Sequence, residues 1–261
     1  MRGLDEARVS EVIVRSYMNA FLDALNIDVA VIGAGPSGMT AAYYLAKRGV
    51  KTAIFERHIH VGGGMPGGGM MFPRIVIEEE AREITEEFEI HIEDFGDGYL
   101  VADAVEAVAM LCAKCLKSGA RIFNMISVED VVFRDGRICG VVLNWSAAER
   151  AKIHVDPLVV RSDVVIDATG HDAEICRIVE RKISASLRTD TGKVIGERSM
   201  WAEMGEKALI ENTREIFPGL IVAGMAANAV AGSPRMGAVF GGMFLSGKKA
   251  AEIAYDIVTR R

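Results

Sequence analysis

The segment Asp28-Val29-Ala30-Val31-Ile32-Gly33-Ala34-Gly35-Pro36-Ser37-Gly38 decides the fold. Asp28–Gly33 is a short apolar run that reads as a buried strand, and Ser37–Arg48 reads as the helix after it. Between them Gly33, Gly35 and Gly38 complete a G-x-G-x-x-G pattern. In that pattern the first glycine makes a tight turn, the second lets backbone approach a pyrophosphate, and the third permits close helix–strand contact. The helix start at Ser37 adds unpaired N–H groups and a positive dipole end. Val50–Glu56 is a second strand, so the three elements form a βαβ unit with a right-handed crossover and a parallel sheet. Glu56 closes this strand about 20 residues after the first glycine, where an acid is expected on an adenosine ribose. A glycine-rich turn that binds nothing is the competing reading, and strand, triplet, helix, strand and acid in register disfavour it.

Outward from this unit, Val61–Pro73 (VGGGMPGGGMMFP) is too rich in glycine for helix or strand and too rich in methionine for a plain linker. Ile77–Phe88 reads as an acidic helix and Ala102–Ser118 as another. Arg121–Val128, Val131–Arg134 and Ile138–Trp145 read as strands, the last two joined by an Asp135-Gly136 hairpin turn. Val164–Ala168 and Leu220–Ala223 are further buried strands, and Gly237–Arg260 is a closing helix. The expectation is an α/β chain forming one domain over 1–261, with a parallel sheet and a small β-rich insertion.

Composition bounds the function. With 30 basic against 36 acidic residues the net charge is −6, which advertises no nucleic-acid-binding surface. Four cysteines in 261 residues are no disulfide framework and fit a reducing cytoplasm. Cys112-x-x-Cys115 falls inside an expected helix without a second pair, and His58 and His60 have no partner by spacing, so neither reads as a metal site. The N-terminal stretch carries charges throughout and reads as a helix with Val9, Val12, Ile13, Tyr17, Phe21 and Leu25 on one face, not as a signal peptide. The longest uncharged stretch, Phe217 to Pro234, is broken by prolines, glycines and Asn228 and reads as a strand followed by a loop, so a soluble protein without a membrane span is expected.

The early βαβ unit and the late Asp163–Gly170 strand resemble the glutathione-reductase-like flavoprotein fold, a Rossmann-like dinucleotide-binding fold. Such flavoproteins carry a late strand ending in Gly-Asp. Here Leu220–Met225 (LIVAGM) has Met225 where that aspartate would stand, which argues against a conventional flavoenzyme. With GAGPSG, VGGGMPGGGMMF, His154–Pro157 (HVDP), Thr169–Asp172 (TGHD) and Ser233–Gly237 (SPRMG) in this order, the chain resembles the thiamine thiazole synthase family, specifically its archaeal branch, over nearly its whole length.

The resemblance implies that NAD is a substrate. Nicotinamide leaves, the ADP-ribose part condenses with glycine, sulfur is added with Fe(II), and an ADP-linked thiazole carboxylate forms. It also implies a homo-octamer with a metal site shared between subunits. Members that sacrifice a cysteine carry it two residues before the Asp-Pro. Here that residue is His154, which implies free sulfide as the sulfur source and repeated turnover. Asp156 and His171 match the iron ligands, a donor pair that suits Fe(II). Taken without the resemblance, Asp156 before Pro157 also reads as a turn residue and His171 as a polar loop residue. His154 is either an acid or base, since imidazoles titrate near neutral pH, or a spacer in the nucleotide site. Arg235 is the clamp for glycine's carboxylate, or else a surface arginine capping its loop. Gly33, Gly35, Ser37, Gly38, Glu56, Arg57, Gly64, Val128 and Met225 complete the nucleotide positions, although Val128 and Met225 equally suit a core. The competing functions are an FAD-dependent oxidoreductase on the same fold, a ribose-1,5-bisphosphate isomerase, and a non-catalytic NAD or ADP-ribose sensor.

Overall fold

A computed structural model describes residues 3–183 and 186–260. Helix α1 (Glu6–Ala24) leads into β1 (Asn26–Ile32), α2 (Pro36–Lys47) and β2 (Thr52–Glu56), the expected βαβ unit. There follow β3 (Arg74–Glu78), α3 (Arg82–Glu87), β4 (Ile92–Asp94), β5 (Tyr99–Asp103) and α4 (Ala104–Lys117). Strands β6 (Arg121–Asn124), β7 (Ile126–Arg134) and β8 (Arg137–Trp145) precede α5 (Ser146–Ala151) and the long β9 (Leu158–Asp167). The chain continues through α6 (Glu174–Lys182), α7 (Ala202–Asn212), β10 (Arg214–Phe217), β11 (Leu220–Val222), α8 (Met225–Ala231) and α9 (Gly241–Thr259).

Six strands of the main sheet run β10-β11-β9-β1-β2-β6, parallel to one another except for the edge strand β10. Its centre is β1, with Val31 opposite Ile54 on one side and Ile166 on the other. Alternation splits the core in two. Val29, Val31, Ile54 and Ile166 face the layer of α2, α4 and α9, while Ala30, Ile32, Phe55 and Val165 face the side where α6 and α8 pack. Both faces are covered, which is why these strands read as continuous apolar runs.

In the β-rich middle of the chain β7 and β8 form the expected hairpin, with Asp135 and Gly136 both at positive φ, and β8 joins the main sheet through β9. The structure departs from the sequence expectation in three places. The separate three-stranded antiparallel sheet is β3-β5-β4. Part of the expected acidic helix is therefore strand, because Ile75 and Ile77 alternate inward against Leu100 and Ala102. After β11 the chain forms α8 rather than a loop, as its alanines favour. In α1 only the C-terminal end is buried, where Tyr17 and Phe21 pack against Phe123; Val9, Val12 and Ile13 are exposed. Among the described residues no helix is long and apolar enough to cross a membrane.

Glu78 at the end of β3 and Glu206 of α7 meet at the N-terminus of α9, where a Cβ at Gly241 or Gly242 would overlap their carboxyl oxygens. Burial, followed by the neighbouring Glu78 carboxyl, pushes Glu206 up to about 8 from 4.5. The folded state therefore binds this proton more tightly than the unfolded chain, and the associated stability is lost as pH rises from about 4.5 to about 8. Glu206→Gln should flatten this fall: its melting temperature should exceed that of the native chain at about pH 9 and lose that advantage near pH 5. Thermal unfolding across that range checks the sign.

Candidate active site

At the C-terminal ends of β1, β2, β9 and β11 lies a cavity of about 770 Å³, within the range of small-molecule sites. Gly33 opens it, with φ +103, and a Cβ there would come within 2.5 Å of the Ala168 carbonyl. Gly35, the residue before α2, has φ −77 and open space where a Cβ would stand. Gly38 does not line the cavity; a Cβ would overlap the Gly33 carbonyl oxygen, so its role is the close helix–turn contact. Ser37 lines the cavity; its hydroxyl donates to the Met243 carbonyl of α9 at 2.9 Å, so toward a ligand its side chain can only accept.

The glycine-rich segment closes against this turn. Gly62 N–H donates to the Ala34 carbonyl at 2.7 Å, Met65 is fully buried, and Gly63, Gly64, Gly68 and Gly69 line the cavity. Met70, exposed and at positive φ, also lines its rim, and Met71, likewise exposed and at positive φ, stands beyond it.

The ends of β2 and β9 form the acidic wall. Glu56 is buried; its Oε2 accepts the Ala34 N–H at 2.8 Å, and its Oε1 accepts the His58 N–H and lies 2.8 Å from His58 Nδ1. Arg57 pairs with Glu174 and, at 3.4 Å, with Asp172. Burial raises the Glu174 carboxyl while the Arg57 charge opposes that. Asp167, fully buried at the end of β9, accepts from Thr169 N–H and hydroxyl and from Cys176 N–H, fixing the Thr169–Asp172 turn.

That turn brings His171 to the cavity with Arg235 and Met225. Glu197, which sequence reading missed, joins two of them: its Oε1 lies 2.5 Å from His171 Nδ1 and its Oε2 lies 3.7 Å from Arg235 Nε. No spacing signal marks it, since it stands 26 residues from His171. His154 and Asp156 are elsewhere, on an exposed loop before β9 that does not line the cavity, and Val128 pairs with Leu143 in the hairpin. Among the described residues no three His, Cys, Asp or Glu side chains stand together as a metal site. His171 and Asp156 have the donor chemistry that suits Fe(II), and His171 keeps its Nε2 outside the Glu197 contact. Of the two cysteines of α4, Cys115 is buried and its thiol is pushed up to about 12, which suits core packing.

A glycine-rich βα turn, an acid ending the second strand and a cavity at the strand ends define an α/β protein with a Rossmann-like dinucleotide-binding fold. The model of the Thi4 family matches residues 10–240, and the chain belongs to this family. It is 57% identical over 253 residues to a protein of Methanothermobacter thermautotrophicus named thiamine thiazole synthase, covering 97% of this chain and 98% of that one. A Pyrococcus abyssi protein of the same name is 53% identical over 249 residues, covering 95% and 96%. The crystal structure of Thermovibrio ammonificans THI4 superposes with a TM-score of 0.95 at 47% identity, over 99% of both chains. A geranylgeranyl bacteriochlorophyll reductase-like protein of Thermoplasma acidophilum shares the fold, with a TM-score of 0.53 at 16% identity over 90% of this chain and 79% of that one.

The glycines separate by experiment. Gly38→Ala should cost about 2 kcal/mol or more through overlap with fixed backbone, lowering the melting temperature by about 4–8 °C. Gly35→Ala has an ordinary φ and free space, so it should melt within about 2 °C of the native chain.

Proposed function

We propose that this chain is a thiamine thiazole synthase, one domain that converts NAD, glycine and free sulfide into an ADP-linked thiazole carboxylate with release of nicotinamide and dependence on Fe(II). The observation that carries the reading is that a single cavity joins the Gly33–Gly38 turn, the Glu56 wall and the His171–Arg235 end. The backbone N–H groups at the start of α2 face the pyrophosphate. Glu56 takes a ribose hydroxyl, since three of the roughly four acceptor directions of its carboxylate are already used and one remains. Arg57, Gly64 and Met225 flank the nucleotide. Arg235 clamps glycine's carboxylate through two parallel N–H bonds.

His171 and Asp156 would hold iron, which would supply the metal chemistry for sulfur transfer. Because Asp156 lies away from the cavity of its own chain, it serves the cavity of a second copy. Its loop supports that placement: Ile153, Val155, Leu158, Val159 and the nearby Trp145 are all exposed apolar residues around it, a surface suited to a neighbouring subunit. His154 reaches a nucleotide in the same way, across the interface of the homo-octamer that the family resemblance implies, whereas Val128 packs partly buried on its own chain's core, on the strand whose Ile126 lines that chain's cavity. His154 carries no sulfur, which supports external sulfide over a sacrificed side chain. Met225 in place of a ribityl-binding aspartate disfavours the flavin reading.

Anaerobic incubation with NAD, glycine, Fe(II) and sulfide, read by mass spectrometry, should give thiazole product in excess of enzyme. Nicotinamide release without thiazole would overturn the sulfur and metal assignment; untouched NAD would overturn the whole reading. Asp156→Ala and His171→Ala should each abolish sulfur insertion while NAD affinity persists. Mixing the two inactive variants under exchanging conditions should restore activity, because some mixed interfaces contain both native ligands; absence of recovery would contradict a shared site.

A further inference from the structure

We propose that Glu197 is a positioning residue that orients His171 for metal binding, an inference that rests on the iron reading above. Glu197 has 15% of its side chain exposed, against 52% for His171 and 55% for Arg235, so the carboxylate is the fixed member and the two long, solvated side chains lean on it. Its fixity comes from the backbone. Gly196 N–H donates to the Ala229 carbonyl at 2.9 Å and Arg198 N–H to the Ser233 carbonyl at 3.1 Å, bracketing Glu197 on both sides. Arg235 N–H returns to the Arg198 carbonyl at 3.3 Å, and Trp201 N–H donates to the Arg235 carbonyl at 3.0 Å. The segment bearing Glu197 is thus laced to the segment bearing Arg235.

An ionised carboxylate only accepts hydrogen bonds, so at 2.5 Å from His171 Nδ1 it selects the imidazole tautomer with the proton on Nδ1. Nε2 then keeps its lone pair for a metal. Outer carboxylates do this for metal-bound histidines generally, fixing ring angle and tautomer and raising ligand basicity. A purely structural ion pair would hold two surface elements together without any preference for one tautomer.

The test uses the full chain and two variants. ¹⁵N spectra of the metal-free protein at about pH 9 should show His171 mainly as the Nδ1–H form. Glu197→Gln offers either its amide oxygen or its nitrogen to Nδ1 and should give a mixture, whereas Glu197→Ala should release the ring to the Nε2–H form. Anaerobic titration with Fe(II) should show an affinity loss of about 10–100-fold in Glu197→Ala and a smaller loss in Glu197→Gln, with NAD affinity unchanged in both. Native tautomer and native Fe(II) affinity in the variants overturn the inference and leave the iron reading standing. A native chain that binds no Fe(II) overturns the iron reading and its dependent claim together, while the tautomer measurement still reports whether Glu197 sets the ring. Should Glu197→Ala fail to fold, Glu197→Gln, nearly equal in shape, decides both readouts.

Discussion

The site depends on how closely the ends of β1 and β9 approach. Gly33 N–H bonds to the Phe55 carbonyl, Ala168 N–H bonds to the Ile32 carbonyl, and Gly33 lies against the Ala168 carbonyl with no room for a side chain. Two turns leaving neighbouring parallel strands would ordinarily diverge toward their own helices. Here they stay in van der Waals contact, so the turn that faces phosphate and the turn that carries His171 open into the same cavity. A Cβ at Gly33 would push them apart, separating nucleotide from chemistry.

Two buried carboxylates finish what that contact begins. Glu56 ends β2 and gathers Ala34 and His58; Asp167 ends β9 and gathers Thr169 and Cys176. Hydrogen bonds to a charged acceptor contribute about 1.5–3 kcal/mol each, and a buried carboxylate left without them would be strongly unfavourable. The loops at the strand ends are therefore specified by acids beneath them. Exposed Asp172 and half-buried Glu174 then pair with Arg57, crossing from the β9 side of the cavity to the β2 side.

Local pattern revealed what local physics determines. The βαβ unit follows from an apolar run, three glycines and an acid at fixed offsets, and both expected strands and the helix stand where that pattern puts them. The strand β3 was hidden because its inward Ile75 and Ile77 run directly into the acids that begin the next turn, and its partner β5 lies across an intervening helix and strand. Helix α8 was hidden by the glycines and prolines bounding it. Glu197 was invisible for a different reason: its role comes from backbone pairing between two irregular segments, which leaves no periodicity in the sequence. The exposed placement of Asp156 and His154 belongs to tertiary structure alone, although the motif itself was plain.

The central position of β1 has a consequence for the making of the protein. Its two neighbours are β2, close behind it in the chain, and β9, which comes about half the chain later. At ribosomal rates of about 5–20 residues per second, that interval lasts roughly ten seconds. Throughout it the nascent chain presents one complete row of unpaired N–H and C=O groups along Asn26–Ile32, flanked by some of the most apolar side chains in the sequence. Productive synthesis thus hinges on shielding a strand edge that the finished molecule hides at its very middle.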